Sequence, residues 1–441
     1  MSELPRGWAE ASLGDVCDLQ NGRAYKQEEL LSSGKYPVLR VGNFFTSQKW
    51  YYSDLELEPT KYCDNGDLLY AWSASFGPRI WSGGKVIFHY HIWRVDLEGA
   101  VSDRDFVFHW FNWDKENIKA AHGTGSTMIH VTKGDMEQRK ILLPPLAEQK
   151  RIVAKLDALN AKSARARTEL ARIETLVSRY KQAVLSKAFS GELTREWRSR
   201  QAKLVPWENV PLSQLVSDGP SNGWSPKADG KAGGLKSLKL SATSSGSLRL
   251  DESTIKYLDQ TLPQDSKFWL LSNDILIQRA NSLELLGTTV LFDGPPHEFI
   301  FPDLMMRIRA NHKKAIPRYL ATYLNSDPAR SYFRANATGT AGNMPKINGT
   351  TVRETRVPTP PLEEQHEIVR RIESAFDRVD RLAAEARRAL ELVGKLDEAI
   401  LANAFRGELV PQDENDEPAE KLLERIRAER AAAPKAKRGR R

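Results

Sequence analysis

Cysteine and long apolar runs are scarce in this sequence. Its 441 residues include only two cysteines, Cys17 and Cys63. Two thiols cannot build a disulfide framework, so they favour a protein that works in a reducing cytoplasm. No apolar run approaches the roughly 18 residues that a membrane helix requires, and the first residues lack the apolar core of a signal peptide. We therefore expect a cytoplasmic protein without a membrane segment.

Signatures of catalysis are also missing. The glycine-rich segment 123–127 has no Gly-Lys-Ser/Thr to complete a phosphate-binding loop, and no Gly-x-Gly-x-x-Gly follows a predicted strand. Asp293–Pro296 is similar to the Asp-Pro-Pro-aromatic motif of amino-methyltransferases, but a glycine interrupts it and a histidine follows, so we interpret it as a turn. His89 and His91 have no cysteine or carboxylate cluster beside them, which favours structural histidines. The sequence predicts no catalytic residue, no metal site and no cofactor in this chain.

What the chain does contain is one long segment that occurs twice. Pro144–Leu193 opens with Pro-Pro-Leu-Ala-Glu-Gln and closes with Ala-Phe-Ser-Gly-Glu-Leu. Pro360–Leu409 opens with Pro-Pro-Leu-Glu-Glu-Gln and closes with Ala-Phe-Arg-Gly-Glu-Leu. The shift between the copies is 216 residues at both ends (360 − 144 and 409 − 193), so no residue has been gained or lost. A duplication of this kind indicates two copies of one structural element.

Apolar and small residues recur within each copy in alternating steps of four and three. A repeat of this length predicts a coiled coil, with paired prolines at the start of each helix and a glycine at its end. Each helix then has about 45 residues and a length of roughly 67 Å. The predicted seams are Ile152, Leu156, Leu159, Ser163, Ala166, Leu170, Ile173, Val177, Tyr180 and Val184, and then Ile368, Ile372, Ala375, Val379, Leu382, Ala386, Ala389, Val393, Leu396 and Ile400.

The connection between the copies predicts how the helices pair. A domain-sized segment separates the end of the first helix from the start of the second. Parallel helices would need this segment to span a full helix length, whereas antiparallel helices only need its two ends to be close, as the termini of compact domains often are. We therefore expect an antiparallel pair within the chain, with a globular domain at each end. The alternative is that each helix pairs with another molecule.

Two further regions show the same plan. Residues 1–143 are expected to form a mixed α/β domain, and residues 194–359 a linker and a looser copy of it. Gly66-Asp67-Leu68-Leu69 corresponds to Asn273-Asp274-Ile275-Leu276 at a shift of 207, whereas Trp8 corresponds to Trp207 at a shift of 199. The growing shift indicates a common framework with different loops. The β-like runs of the first domain are Tyr36–Val41, Asp67–Trp72, Lys85–Tyr90 and Arg139–Leu142, before a helix from about Asp103 to Ala121.

The fold class that follows is α+β, with two similar mixed α/β domains separated by two long antiparallel coiled-coil helices in a pseudo-two-fold arrangement. Residues 144–193 and 360–409 are the two helical segments. Residues 410–441 are expected to form a short helix, with Leu422, Leu423 and Ile426 on its apolar side, and a basic tail.

Residues suited to DNA recur at matched places in both domains. The net charge of +8 permits nucleic acid without requiring it. Arginine pairs with guanine and asparagine or glutamine with adenine, while glycine, serine and threonine let backbone amides approach phosphates. The candidates are Arg40, Asn43, Trp72, Ser73, Ser75, Gly123, Thr124, Ser126, His130 and Lys133 in the first domain, and Lys239, Gln278, Arg279, Asn281, Ser282, Gly339, Thr340, Asn343 and Lys346 in the second.

The complete pattern resembles the specificity subunits of type I restriction-modification systems. The resemblance covers almost the whole chain and rests on the duplicated openings and closings, on the weaker match of Gly66-Asp67-Leu68-Leu69, and on Glu417–Arg430 in the tail. It implies two target-recognition domains, each of which reads one half of a bipartite sequence in double-stranded DNA. It also implies that the helices fix the spacer and dock two modification subunits.

The resemblance assigns the chemistry to those partners. Modification subunits bind S-adenosylmethionine and methylate adenine, and restriction subunits that use ATP and Mg²⁺ can join the complex, so the specificity subunit itself has no active site. Two other functions stay open: a stand-alone DNA-binding regulator with two readers, and a coiled-coil scaffold whose end domains bind proteins. A fused methyltransferase is excluded by the length and the missing motifs. The recognised bases cannot be read from the sequence.

Overall fold

The computed structural model of the chain describes residues 4–73, 76–99, 101–122, 131–201, 205–226, 233–339 and 344–432. It divides into two compact units, residues 1–169 with 388–441 and residues 170–387. Each unit contains one mixed α/β domain, the first part of one long helix and the last part of the other. In the described part of the chain, no helix is long and apolar enough to cross a membrane.

The first domain confirms the predicted strands and helix. The four β-like runs overlap strands at Tyr36–Leu39, Leu68–Ala71, Val86–Phe88 and Lys140–Leu143, and the expected helix is found at Arg104–His122. Val41, predicted as strand, instead begins a short helix. The described elements of this domain are β1 (Ala9–Ser12), α1 (Leu13–Val16), β2 (Cys17–Asn21), β3 (Tyr36–Leu39), α2 (Val41–Phe45), β4 (Tyr51–Ser53), β5 (Tyr62–Cys63), β6 (Leu68–Ala71), β7 (Gly77–Ile80), β8 (Val86–Phe88), β9 (Ile92–Leu97), α3 (Arg104–His122), α4 (Lys133–Glu137) and β10 (Lys140–Leu143).

Two helices of 44 residues each follow the two domains. In chain order, the remaining elements are α5 (Leu146–Phe189), α6 (Arg195–Arg198), β11 (Glu208–Pro211), β12 (Val216–Asn222), β13 (Leu235–Leu238), β14 (Ile255–Leu258), β15 (Ile275–Gln278), β16 (Thr289–Leu291), β17 (Phe299–Ile300), β18 (Met305–Ala310), α7 (Pro317–Leu324), α8 (Asp327–Ala335), α9 (Gly349–Glu354), β19 (Arg356–Thr359), α10 (Leu362–Phe405) and α11 (Ala419–Ala432).

The strands that the two domains have in common lie in the same order. One sheet has the order β2-β9-β6-β7 in the first domain and β12-β18-β15-β16 in the second. A second sheet has the order β4-β3-β8-β5 in the first domain and β14-β13-β17 in the second, with β3–β8 and β13–β17 parallel. Short ribbons, β1–β10 and β11–β19, lie just before the long helices. This shared order confirms the prediction of two similar mixed domains.

The turn before β6 and β15 explains the most visible sequence match between the domains. Gly66 and Asn273 both adopt the left-handed backbone conformation, with φ of 92° and 71°. Glycine and asparagine tolerate this conformation better than other residues. The carboxylates of Asp67 and Asp274 each accept a hydrogen bond of 2.8 Å from the backbone amide three residues earlier. The matched motif is therefore a turn that starts a central strand.

Within the first unit, the start of α5 packs against the end of α10. Ile152 and Leu156 share a buried core with Ile400. Further along the pair, Arg167 and Asp397 form an ion pair of 2.6 Å. Residue numbers rise along α5 as they fall along α10, so the two helices are antiparallel in this unit.

The second unit repeats this arrangement with the other ends of the helices. Val184 at the end of α5 shares a buried core with Ile372 at the start of α10. Lys181 and Asp380 lie 2.6 Å apart, and Arg387 donates to Glu174 at 3.2 Å. The predicted antiparallel pairing within the chain is thus confirmed in each unit.

The four-three seam is not kept along all of α10. Leu382, a predicted seam residue, is 59% exposed, whereas the next residue, Ala383, is only 4% exposed. Leu396 and Tyr180 are exposed as well. The step from Val379 to Ala383 is four residues and the next, to the buried Ala386, is three, so the order of the two steps is exchanged while the mean repeat stays at 3.5. The small alanine replaces leucine at the interface, and the leucine faces outward.

Candidate DNA interface

Each domain is fixed to its helix by the glutamine of the Pro-Pro-Leu-x-Glu-Gln opening. Gln149 and Gln365 are fully buried. In both, the side-chain nitrogen donates to the carbonyl of the proline five residues earlier, at 2.9 Å. The side-chain oxygen accepts a backbone amide from the domain, from Asp103 at 2.8 Å and from Ile316 at 2.9 Å. The opening motif therefore sets the orientation of the domain on the helix start.

The glutamate before it makes a second connection. The indole nitrogen of Trp8 donates to Glu148 at 3.1 Å, and that of Trp207 donates to Glu364 at 2.9 Å. Burial raises the pKa of the Glu148 carboxyl. The sequence aligned the two tryptophans but assigned no role to them, because their partners lie about 140 to 160 residues away.

A basic cleft marks the first domain. The guanidinium of Arg40 lies 5.4 Å from the centre of the Tyr51 ring, and the amine of Lys49 lies 5.7 Å from it. With His89 and His91 these residues line an open cavity of about 360 Å³. Burial, together with the charges of His91 and Arg40, lowers the pKa of His89 to about 4. His89 is therefore neutral near pH 7, whereas the arginine and the lysine supply positive charge in the cleft.

Three of the residues predicted to contact DNA in this domain, Arg40, Asn43 and Trp72, lie together at that cleft. The backbone amide of Trp72 donates to His91 at 3.1 Å, and the two rings lie 5.0 Å apart. Asn43 donates its side-chain amide to the carbonyl of Lys49 at 2.7 Å, so it shapes the loop at the cleft mouth. Ser73 is buried next to Trp72. Arg40, Asn43 and Trp72 thus lie on one surface, close to the end of β6.

The sequence reasoning missed four residues of this cleft. Lys49, Tyr51, His89 and His91 were not among the candidates, although lysine and histidine alternate with aromatic residues in both short segments. That alternation of charge and aromatic rings is a signal for nucleic acid that could have been used.

Of the remaining DNA-contact candidates in the first domain, only Lys133 lies in the described part of the chain. Lys133 donates to the carbonyl of Leu19 at 2.7 Å and pairs with Asp18 at 3.2 Å and Glu137 at 3.3 Å. Its charge is therefore offset within the domain. Ser75, Gly123, Thr124, Ser126 and His130 lie outside the described residues.

In the second domain, Gln278 is an internal tether. Its side chain is fully buried. It donates to Leu240 at 3.0 Å and to Thr243 at 2.7 Å, and it accepts a hydrogen bond of 2.7 Å from Asn281. Gln278 therefore joins the loop after β15 to the turn that follows Lys239, and it does not face solvent.

The loop after β15 also joins the segment before α9. The amide of Ile347 donates to Arg279 at 2.8 Å, and Ala280 pairs with Lys346 as an isolated bridge. Lys346 in turn exchanges two backbone hydrogen bonds with Thr338, at 2.8 and 2.9 Å. The structure thus brings the loop after β15, which carries Arg279 and Asn281, next to the segment that carries Lys346. Ser282, Gly339, Lys346 and Lys239 are exposed, and Thr340 and Asn343 lie outside the described residues.

A matched arginine supports the central sheet of each domain. Arg94 pairs with Leu69 across the sheet and donates to the carbonyl of Tyr62 at 2.6 Å. Arg307 occupies the same position opposite Leu276 and donates to the carbonyl of Lys267 at 2.7 Å. Sequence reasoning missed both, since their relation depends on strand register. They hold the segment that leads into the central strand.

Neither domain shows the elements of a metal centre in the part of the chain that is described. No group of three or more histidine, cysteine, aspartate or glutamate side chains could hold a metal ion there.

The comparisons with known proteins agree with this architecture. The family model described as "Type I restriction modification DNA specificity domain" matches residues 5–175 and 205–392. The chain is 30% identical to the StySPI specificity subunit of Salmonella potsdam, over 98% of this chain and 97% of that protein. It is 28% identical to the EcoKI specificity subunit of Escherichia coli (strain K12), with the same coverage.

Solved structures share the fold. A chain from a structure that describes complex assembly and conformational transition of the type I R-M system has a TM-score of 0.69, with 20% identity, over 93% of this chain and all of that chain. The HsdS subunit from Thermoanaerobacter tengcongensis has a TM-score of 0.55, with 19% identity, over 92% of this chain and 98% of that chain. The chain therefore belongs to the DNA-specificity subunits of type I restriction-modification systems.

Proposed function

We propose that this chain selects the DNA sequence on which a type I restriction-modification complex acts. Each domain reads one half of a bipartite target, and the helix pair sets the spacer between the halves. Two modification subunits, which carry S-adenosylmethionine, dock on the chain, and ATP-dependent restriction subunits can join them. The chain itself contributes recognition and no catalytic group.

One observation supports this proposal most. The two domains share a strand order, but the loops that they expose carry different side chains. The first domain offers Arg40 and Lys49 around Tyr51. The second offers Lys346 beside Arg279 on two loops joined by backbone hydrogen bonds. Arginine and lysine bind phosphates and guanine edges, while the surrounding polar groups vary. A common scaffold with unlike side chains is what two unlike half-sites require.

The helices offer surfaces for the modification subunits. Leu176 and Leu382 are exposed in the second unit, and Leu392 and Leu396 in the first. Large exposed aliphatic side chains on helices are typical of protein interfaces. They support docking of protein partners on the helix pair rather than on the basic loops.

Methylation mapping tests the proposal. The chain is co-expressed with its modification subunit in a host without adenine methylation, and modified adenines are located by sequencing. We expect a single bipartite motif with a constant gap. Exchange of residues 204–359 for those of another member of the family should change only one half of the motif.

Two other outcomes have defined meanings. If the two proteins co-purify but no adenine is methylated, the chain acts as a scaffold. If they do not associate and the chain alone binds DNA tightly, it is a stand-alone regulator. Either result would reject the proposed role.

A further inference from the structure

Two large aliphatic side chains stand out on the surface of the second domain. Leu283 is 44% exposed and Met344 is 43% exposed. Each belongs to a segment whose other apolar residues are used internally, since Ala280, Leu286 and Ile347 are all buried. Their exposure is therefore not a general looseness of these segments.

The segments that carry them are held side by side. The amide of Asn281, two residues before Leu283, donates to the carbonyl of Pro345, the residue after Met344, at 3.4 Å. The bridge between Ala280 and Lys346 and the bond from Ile347 to Arg279 extend this contact. Leu283 and Met344 thus lie on neighbouring segments at one edge of the domain.

The loop around Leu283 has a defined shape. The carbonyl of Ser282 accepts the amides of Leu285 at 3.0 Å and Leu286 at 2.8 Å, which closes a tight turn over residue 283. The side-chain amide of Asn281 donates a hydrogen bond of 2.7 Å to the buried side chain of Gln278, which fixes the loop from the interior of the domain. A preorganised turn presents its apolar tip without a large loss of conformational entropy on binding.

Charge indicates what this edge meets. Lys346 is exposed, and Arg279 is only partly covered by its bond of 3.5 Å to Asp303. Leu283 and Met344 share this edge with the cations Arg279 and Lys346 and with the exposed Glu284. The two cations can meet phosphates, while the apolar side chains can meet base edges. The apolar group that a duplex offers in its major groove is the C5-methyl of thymine.

The loop that follows the central strand differs in length between the two domains. The shift between the domains grows from 207 at Leu68 and Ile275 to 211 at their strand partners Ile80 and Leu291, so this loop is longer in the second domain. In the first domain, Phe76 of this loop is buried and packs edge-on against Tyr70 at 5.2 Å. Leu283 and Met344 both belong to the second domain, so any effect of them should be confined to one half-site.

We propose that Leu283 and Met344 are specificity-determining residues that contact thymine methyl groups in the half-site read by the second domain. This inference rests on the proposed function and refines it. One buried methyl group contributes about fourfold in affinity, which corresponds to roughly 0.8 kcal/mol.

The test uses the complete complex with its modification subunits and the mapped duplex. Each thymine of both half-sites is replaced in turn by deoxyuridine, which removes only the methyl group, and dissociation constants are measured. The proteins compared are the unchanged chain, Leu283→Ala, Met344→Ala and, as a control, Val205→Ala. Val205 is similarly exposed in the same domain but lies before β11.

We expect one or two uracil positions, all in one half-site, to weaken binding about fourfold with the unchanged chain. Leu283→Ala or Met344→Ala should weaken binding to the thymine duplex by a similar factor. Replacing that thymine by uracil should then cause no further loss of affinity. Val205→Ala should behave like the unchanged chain. Because both residues are exposed, thermal unfolding should be unaltered.

Other results would overturn the inference. Equal losses of Leu283→Ala on thymine and uracil duplexes would indicate a wedge between base steps instead of a methyl contact. No loss in either variant would mean that the edge does not meet DNA. In both cases the complex still binds the mapped site, whereas failure of the unchanged complex to bind it would reject the proposed function itself.

Discussion

The indole nitrogen of Trp207 donates a hydrogen bond of 2.9 Å to Glu364, a buried carboxylate at the start of α10. The same carboxylate accepts the hydroxyl of Thr194 at 2.6 Å and lies 3.4 Å from Arg198. Three segments of the second unit thus meet at one group. Trp8 and Glu148 repeat the central contact in the first unit.

Removal of the indole donor should destabilise the second unit. Trp207→Phe keeps an aromatic ring but leaves one oxygen of a buried carboxylate without its partner, which costs about 1–3 kcal/mol. The measurement is chemical unfolding monitored by circular dichroism. The matched control is Trp269→Phe, whose indole donates at 2.8 Å to the carbonyl of Pro263 in an exposed loop. If both variants lost the same free energy of unfolding, the contact with Glu364 would contribute no more to stability than the exposed one.

Lys49 should contribute to DNA binding through charge. Its amine is exposed at the cleft beside Tyr51 and can neutralise one phosphate. In the complete complex, Lys49→Ala should weaken binding on all sequences alike and reduce the slope of log K against log salt by about 1. Lys140→Ala removes an exposed lysine that pairs with Glu10 at 2.8 Å, so it should leave the slope unchanged. An unchanged slope in Lys49→Ala would remove this residue from the interface.

The stability of the first domain should depend on the ionisation of His89. Burial lowers its pKa from 6.5 to about 4, so the unfolded chain binds the proton more readily than the folded one. The contribution to stability is full above pH 6.5 and is lost as the pH falls from 6.5 through 4. His89→Gln should lack this component. Thermal unfolding between pH 4 and 7 measures it, and parallel curves for the two proteins would contradict the assignment.

The altered seam of α10 gives a prediction about two positions that lie one helical turn apart. Ala386 is buried in the helix interface, so Ala386→Leu overpacks it and should cost about 1–3 kcal/mol. Leu382→Ala removes an exposed side chain and should change the free energy of unfolding by less than about 0.5 kcal/mol. Unfolding in urea distinguishes this from the strict heptad, for which the Leu382 variant would be strongly destabilised.

The spacer proposal predicts the effect of lengthening both helices. Seven residues added to α5 and seven to α10 extend the pair by about 10 Å. DNA rises about 3.4 Å per base pair, so the gap in the methylated motif should grow by up to about three base pairs. Methylation mapping of the lengthened protein reads this directly. An unchanged gap in an active complex would show that the helices do not set the spacer.

Sequence periodicity was informative wherever one element repeats. The duplicated motifs and the four-three pattern predicted two long helices, because local spacing decides which face of a helix is apolar. The position of Leu382 could not be predicted in the same way. Either Leu382 or its neighbour Ala383 can follow Val379 in a four-three pattern, and only the packing of the folded helix pair decides between them.

The candidate site divides in the same manner. Residue type alone identified Arg40, Arg279 and Lys346 as groups suited to DNA, since charge and hydrogen-bonding capacity belong to the side chain itself. It could not separate them from Gln278, which has the same capacity but is fully buried. Residue type does not report burial, which depends on where β15 meets the turn after Lys239.

The sequence by itself thus determined the two helices, the two related domains and the absence of the catalytic motifs considered. The tertiary structure decided which carboxylate meets Trp8 or Trp207, which histidines share a cleft with Arg40, and which apolar residues stay outside. Local patterns fix secondary structure because they act between neighbours in the chain. Contacts between residues more than a hundred positions apart depend on strand register and on packing, and these are set only when the whole domain folds.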